Sequence, residues 1–133
     1  MASGITWTIK TSVAVPGLGS QSTDQTVTVV GDSEVVFSHD VSPGATVTLT
    51  FGSIDYTKVI AMLFFSSGEG LTINTNAVDA TGGNSFTLSS GKAIEWDNTQ
   101  SVATLLTHNV TALYLINAGT KIAAARVGFL TDL

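Results

Sequence analysis

Residues 46–51 read Thr-Val-Thr-Leu-Thr-Phe, and this short stretch decides the class of fold. The apolar side chains of Val47, Leu49 and Phe51 alternate with threonines, so the hydrophobic pattern has a period of two residues. Successive side chains of a β-strand point to opposite faces, and the pattern therefore predicts a strand with one buried face and one face in water. Threonine suits the wet face because β-branched side chains pack well on a pleated surface.

The same alternation recurs along the chain and predicts many short strands. It appears at residues 5–10, 26–29, 71–74 and 86–88. Residues 59–65 and 112–116 are instead apolar throughout, which is typical of central strands covered on both faces. Turn residues, such as the Ser-Pro-Gly run at 42–44, separate these segments. About 8 to 10 closely spaced strands predict an all-β fold, an antiparallel, jelly-roll-like β-sandwich.

The pattern predicts one domain over residues 1–133. No charge run, proline-rich linker or low-complexity segment divides the chain. Residues 12–26 are polar, contain glycine and have few large apolar side chains. We therefore expect a loose loop or arm in that segment.

Charged residues are scarce, and this limits the classes of molecule that the protein is expected to bind. They make up 11% of the chain, against roughly 25% in an average soluble protein. The five basic residues are scattered and the net charge is −5, which argues against a nucleic-acid partner because phosphate contacts need clustered basic side chains. The longest apolar run, residues 59–65, is far shorter than the roughly 20 residues of a membrane-spanning helix, and residues 1–10 lack a signal-peptide pattern. We expect no membrane partner and no signal peptide.

A surface poor in charged residues predicts that the protein is part of a larger assembly. Such a surface is poorly protected against association in a free monomer, whereas the centres of protein interfaces are depleted in charge. The closing segment, residues 122–130, is rich in small and apolar residues that allow a neighbouring strand or subunit to approach closely. Its candidate interface residues are Ile122, Ala124, Arg126, Phe129 and Leu130. The alternative is that this segment is only the last strand of the sandwich, and both interpretations can hold together.

The sequence offers no signature of catalysis or cofactor binding. His39 and His108 stand apart, each beside a single polar neighbour, whereas a metal site usually gathers more ligands. The chain has no cysteine, no nucleophile elbow of the G-x-S-x-G kind and no phosphate-binding lysine motif. We predict that the protein is not an enzyme and binds neither a cofactor nor a metal.

One aromatic residue carries an alternative, ligand-binding interpretation. Trp96 lies between Glu95 and Asp97, and an acidic pair beside an indole ring suits a sugar-binding platform. A carbohydrate- or receptor-binding sandwich is therefore the second functional hypothesis. The period-two pattern favours the opposite arrangement, with Trp96 packed inward and both carboxylates in water.

An ordered series of strands and turns from Phe51 onward resembles a known group of proteins. An Asp-Tyr-Thr-Lys loop at 55–58 leads into the apolar run 59–65. The segments Leu-Thr-Ile-Asn at 71–74, Asn-Ser-Phe-Thr-Leu at 84–88 and Ser-Ser-Gly at 89–91 follow. The series ends with residues 113–120 and a closing strand before Asp132. This order is similar to that of small accessory virion proteins of tailed bacteriophages, the head decoration or cement proteins and related minor particle components.

The resemblance implies a β-sandwich or jelly roll without enzymatic activity that binds a capsid or tail lattice. It also implies self-association, and we expect a homo-oligomer, with a trimer favoured, in contact with the major capsid protein or other virion proteins. The location would be the virion, assembled in the host cytoplasm. The group has no short motif to align, so the resemblance assigns no site residue.

Overall fold

The computed structural model describes residues 5–14, 22–31, 33–101 and 104–132, which form ten strands and one 3-10 turn. The strands are β1 (Ile5–Ala14), β2 (Ser22–Gly31), β3 (Ser33–Val41), β4 (Thr46–Ile54), β5 (Val59–Ser67), β6 (Leu71–Thr75), β7 (Ser85–Leu88), β8 (Lys92–Asp97), β9 (Val110–Ile116) and β10 (Ala123–Thr131). The 3-10 turn, Tyr56–Lys58, joins β4 to β5. None of the described residues forms a helix with the length and hydropathy of a membrane span.

Eight of these strands form two four-stranded antiparallel sheets packed face to face. The strand order is β3-β10-β5-β8 in the first sheet and β4-β9-β6-β7 in the second. The chain crosses between the sheets at almost every connection, and this order of eight strands is that of a jelly roll. The predicted all-β, jelly-roll-like sandwich is confirmed.

The two wholly apolar segments lie where the sequence predicted them. Residues 59–65 belong to β5, which lies between β10 and β8. Residues 112–116 belong to β9, which lies between β4 and β6. Both strands are therefore central in their sheets, as predicted, but the outer face of each is half-buried rather than covered.

The core lies between the two sheets and centres on phenylalanine rings. Phe64 of β5 meets Phe86 of the second sheet edge to face, with ring centroids 4.9 Å apart. It meets Phe129 of its neighbour β10 in the same way at 5.5 Å. Such edge-to-face pairs are favoured over face-to-face stacking, and the Phe64–Phe86 pair joins the two sheets across the core.

The first two strands form a hairpin that pairs with neither large sheet. Its register runs from Ile5 opposite Gly31 to Ala14 opposite Ser22. At its base, a side-chain carbon on Gly31 would lie 2.7 Å from the carbonyl oxygen of Thr131, so only glycine fits. Within the segment predicted as a loose loop or arm, residues 12–14 and 22–26 belong to these strands, and residues 15–21 lie outside the described part of the chain.

Asparagine side chains hold the connecting loops together at both ends of the sandwich. At one end the buried amide of Asn117 donates to the carbonyl oxygens of Val41 (2.9 Å) and Lys121 (2.7 Å) and accepts from Gly119 N (2.9 Å). At the other end Asn76 donates to the carbonyl oxygen of Asn109 at 2.7 Å. These bonds replace the ladder hydrogen bonds that the loops lack, so the loops have defined conformations.

Candidate functional site

The outer face of the first sheet contains most of the candidate interface residues. Along β10, Val127 and Phe129 face the core, so Ala124, Arg126 and Leu130 face outward. Phe129 is fully buried in the core, and its place in the predicted interface is wrong. The sequence could not show which face of β10 is inward because both faces carry apolar residues.

One end of this outer face is closed. Leu130 lies in a cross-strand row with Ala61, and both have no exposed surface. A side-chain carbon on Gly31 would lie 2.8 Å from Cγ of Leu130, so the base of the β1–β2 hairpin covers this row. Leu130 is therefore covered by the chain itself, and the prediction that it contacts another subunit is also wrong.

We call the rest of the outer face, as far as its residues are described, the Arg126 face; Val36 and Arg126 are exposed there, and its other apolar side chains are half-buried. It is formed by Val36, Leu63, Phe65, Ala124 and Arg126. Val36 is the most exposed apolar side chain of this face, with 62% of its surface accessible. Arg126 is the direct cross-strand partner of Phe65, and Val36 and Leu63 lie on either side of Gly128 in the next row, so these side chains occupy one area of the sheet.

Charge on the Arg126 face has a simple arrangement. Arg126 is exposed near the centre of the patch, between Ser38 and Phe65 on the neighbouring strands. Asp40 lies in the next row towards one end, and Glu95 lies at the β8 border. A single cation in an apolar patch with carboxylates at its border can accept an acidic group from a partner and offer acidic groups in return.

Ile122 lies outside this face. It is 56% exposed in the loop that enters β10. Gly68, with a φ of 85°, approaches its carbonyl so closely that an added side-chain carbon would lie 2.7 Å from the oxygen. The Glu69 carboxylate holds the same loop: hydrogen bonds from the backbone N–H groups of Gly70 and Thr120 lower the pKa of Glu69.

The predicted sugar platform is not formed. Trp96 is 6% exposed and belongs to the core, so its ring cannot stack on a ligand at the surface. Asp97 is buried as well, which corrects the expectation that both carboxylates lie in water. Its side chain accepts from Thr99 N at 2.9 Å and also from the Thr99 hydroxyl, and it closes the turn after β8. Of the three residues Glu95, Trp96 and Asp97, only Glu95 is exposed, and it lies at the border of the Arg126 face.

The outer face of the second sheet is a surface that the sequence prediction missed. We call it the Tyr114 face, after the half-buried tyrosine near its centre. Two cross-strand rows form it: Thr46, Ile116, Thr72 and Thr87 in one, and Thr48, Tyr114, Asn74 and Ser85 in the other. None of these eight described positions is charged. The alternating threonines predicted a wet face, but Tyr114 lies in an all-apolar run and gave no sign of its direction.

The two histidines are separate exposed groups. The Nδ1 atom of His39 lies 2.7 Å from the carbonyl oxygen of Asp40. That of His108 lies 2.8 Å from the Thr107 hydroxyl. Among the described residues no three His, Asp or Glu side chains are grouped as metal ligands.

Comparison with protein-family models, with curated proteins and with solved structures identifies no match.

Proposed function

We propose that this chain is a non-enzymatic structural component of a bacteriophage particle, which decorates or cements the capsid through contacts between subunits. The observation that carries the proposal is the Arg126 face, a partly exposed, largely apolar patch on a regular sheet. The resemblance to accessory virion proteins agrees with it, and double-sheet jelly rolls recur in viral capsid proteins. Jelly rolls also occur in lectins, so the surface chemistry rather than the fold carries the argument.

The Arg126 face has the composition of a protein interface. Interface centres are apolar and poor in charge, with polar groups at the rim, and arginine is enriched among the residues that dominate binding energy. Val36 is the apolar side chain of the patch with the most exposed surface to bury on docking. Arg126 of one subunit would meet Asp40 or Glu95 of the next, which sets the orientation.

The first experiment measures the mass of the purified chain by size-exclusion chromatography with light scattering. We expect a homo-oligomer, with a trimer favoured, that persists in high salt because apolar burial is not screened. Val36→Asp and Arg126→Glu each introduce negative charge into the patch and should give monomers. Thr48→Asp, a change at an exposed position on the opposite sheet, should leave the mass unchanged. A monomeric wild type, or patch variants of wild-type mass, would contradict self-association through this face.

The second experiment tests the particle itself. Antiserum against the chain should label the surface of gradient-purified virions of the phage that encodes it, and addition of purified chain to particles lacking it should restore the label. Arg126→Glu should fail to bind such particles, whereas Thr48→Asp should bind as wild type does. Virions that contain none of the chain would refute the proposed role.

A further inference from the structure

The Tyr114 face differs from the rest of the surface in carrying no charge on its strands. The carboxylate in the loop between β6 and β7 is that of Asp79. That carboxylate is turned back to its own loop, because the hydroxyl and backbone N–H of Thr81 donate to it and lower the pKa of Asp79. The face therefore offers hydroxyls, amides and one aromatic ring to any molecule that covers it.

Tyr114 lies in the middle of a polar row. Thr48 is its cross-strand partner on β4, and Asn74 is its partner on β6, with Ser85 beyond. Tyrosine has a flat apolar ring and a polar hydroxyl, so one side chain can give both a stacking surface and a hydrogen bond. Its neighbours add hydroxyl and amide groups within about 5 Å at Cβ.

Asn74 has a buried acceptor without a partner. The side chain is 8% exposed, and its amide nitrogen donates to the carbonyl oxygen of Val78 at 2.8 Å. A carbonyl oxygen can only accept a hydrogen bond, so the atom of the Asn74 amide that faces Val78 must be the nitrogen. The amide oxygen, Oδ1, therefore points the other way. The Oδ1 atom has no hydrogen-bond partner within the protein. A buried acceptor left unpaired costs about 1–3 kcal/mol, which a hydrogen-bond donor that reaches it would recover.

The loop that covers Asn74 is itself strained. Ala80 has a φ of 64° and Asn76 a φ of 71°, in the left-handed region that side chains other than glycine rarely adopt. Asparagine tolerates this conformation, but alanine has no polar group to compensate the cost of roughly 1–2 kcal/mol. Val78 is 55% exposed on the same loop. An unpaired acceptor, a strained alanine and an exposed apolar side chain thus occur together beside Tyr114, and backbone strain of this kind clusters at binding sites.

We propose that the Tyr114 face, together with the loop between β6 and β7, binds a neutral saccharide. A sugar ring has an apolar face that stacks on Tyr114 and hydroxyls that donate to Asn74 Oδ1 and exchange hydrogen bonds with Thr48. A phosphate or carboxylate ligand would find no cation on the strands of this face. Because Asn74 Oδ1 lies beneath the surface, binding requires residues 77–80 to move aside from it. The site lies on the sheet opposite the Arg126 face and does not depend on the proposed role in a particle.

The test uses the full chain and four probes, the methyl glycosides of glucose, galactose, mannose and N-acetylglucosamine. Saturation-transfer NMR detects binding, and ¹⁵N-labelled protein maps it. We expect at least one glycoside to shift the amides of β6, β9 and the loop between β6 and β7. Tyr114→Ala should weaken binding about tenfold or more. Thr48→Arg should abolish it by filling the face from an exposed position without removing core volume.

Phe65→Ala is the matched control, since it removes another half-buried aromatic ring from the outer face of the other sheet. It should bind the glycoside as wild type does. Thermal melts establish that each variant is folded, and Thr48→Arg keeps the test decisive if Tyr114→Ala is unstable. Failure of all four glycosides to bind, shifts confined to other surfaces, or unchanged binding by Thr48→Arg would each overturn the proposal.

Discussion

Replacing Asn117 with alanine should destabilise the protein far more than the loss of an exposed asparagine side chain does. Asn117 is 1% exposed and makes three hydrogen bonds, which join the loop after β9 to the end of β3. Asn117→Ala removes all three and leaves the carbonyl oxygens of Val41 and Lys121 without this donor. Each such bond contributes about 1 kcal/mol, so the free energy of unfolding should fall by about 3 kcal/mol.

Urea denaturation followed by circular dichroism measures this loss directly. A domain of this size loses about 2 kcal/mol per molar urea, so the midpoint should move down by about 1.5 M. The matched control is Asn98→Ala, since Asn98 is exposed and its backbone N–H keeps its bond to Ile60. That variant should stay within about 0.5 kcal/mol of wild type. Equal midpoints for the two variants would show that the Asn117 bonds do not hold the loops together.

Three further predictions test the core, an acidic side chain and a glycine. Phe64→Ala removes the ring that contacts two other phenylalanines and should cost about 4 kcal/mol in urea titrations; a loss under about 2 kcal/mol would contradict its central position. Backbone N–H groups hold the pKa of Glu69 below its ordinary 4.5, so the stability it confers is complete above that pH and is lost as the pH falls through the lowered value. The melting temperature should therefore drop less steeply below pH 4.5 in Glu69→Gln than in wild type, and identical slopes would refute this. Gly83→Ala places a carbon against the carbonyl oxygen of Thr75 and should cost about 2 kcal/mol, whereas Gly52→Ala, with open space around it, should cost less than about 0.5 kcal/mol by the same titration.

Local pattern was enough to predict the strands but not their arrangement into pairs. The alternation at residues 46–51 and the apolar run 59–65 reflect burial, which each strand expresses in its own residues. β3 and β10 pair with each other although they lie far apart in sequence, and no local sequence pattern encodes that pairing. A jelly roll could be proposed from the number and spacing of strands, whereas its strand order could not.

The surfaces were harder to predict because they depend on which side of a strand faces the core. β10 is apolar on both faces, so the sequence groups Phe129 with Leu130 although the two side chains point in opposite directions. Tyr114 raised the same difficulty in β9. Asp97 did carry a signal, since an aspartate two residues before a threonine in a turn often accepts from its backbone N–H. The unpaired oxygen of Asn74 depends on the loop conformation and has no signature in the sequence.

The position of β10 has a consequence for synthesis on the ribosome. This strand lies between β3 and β5 in the first sheet. Neither β3 nor β5 can pair with it until residues 123–131 have left the exit tunnel. Contacts so distant in sequence form slowly, since a long loop must close before they stabilise anything. Until then the nascent chain displays the free edges of β3 and β5, which are sites for mispairing between neighbouring chains on one messenger RNA.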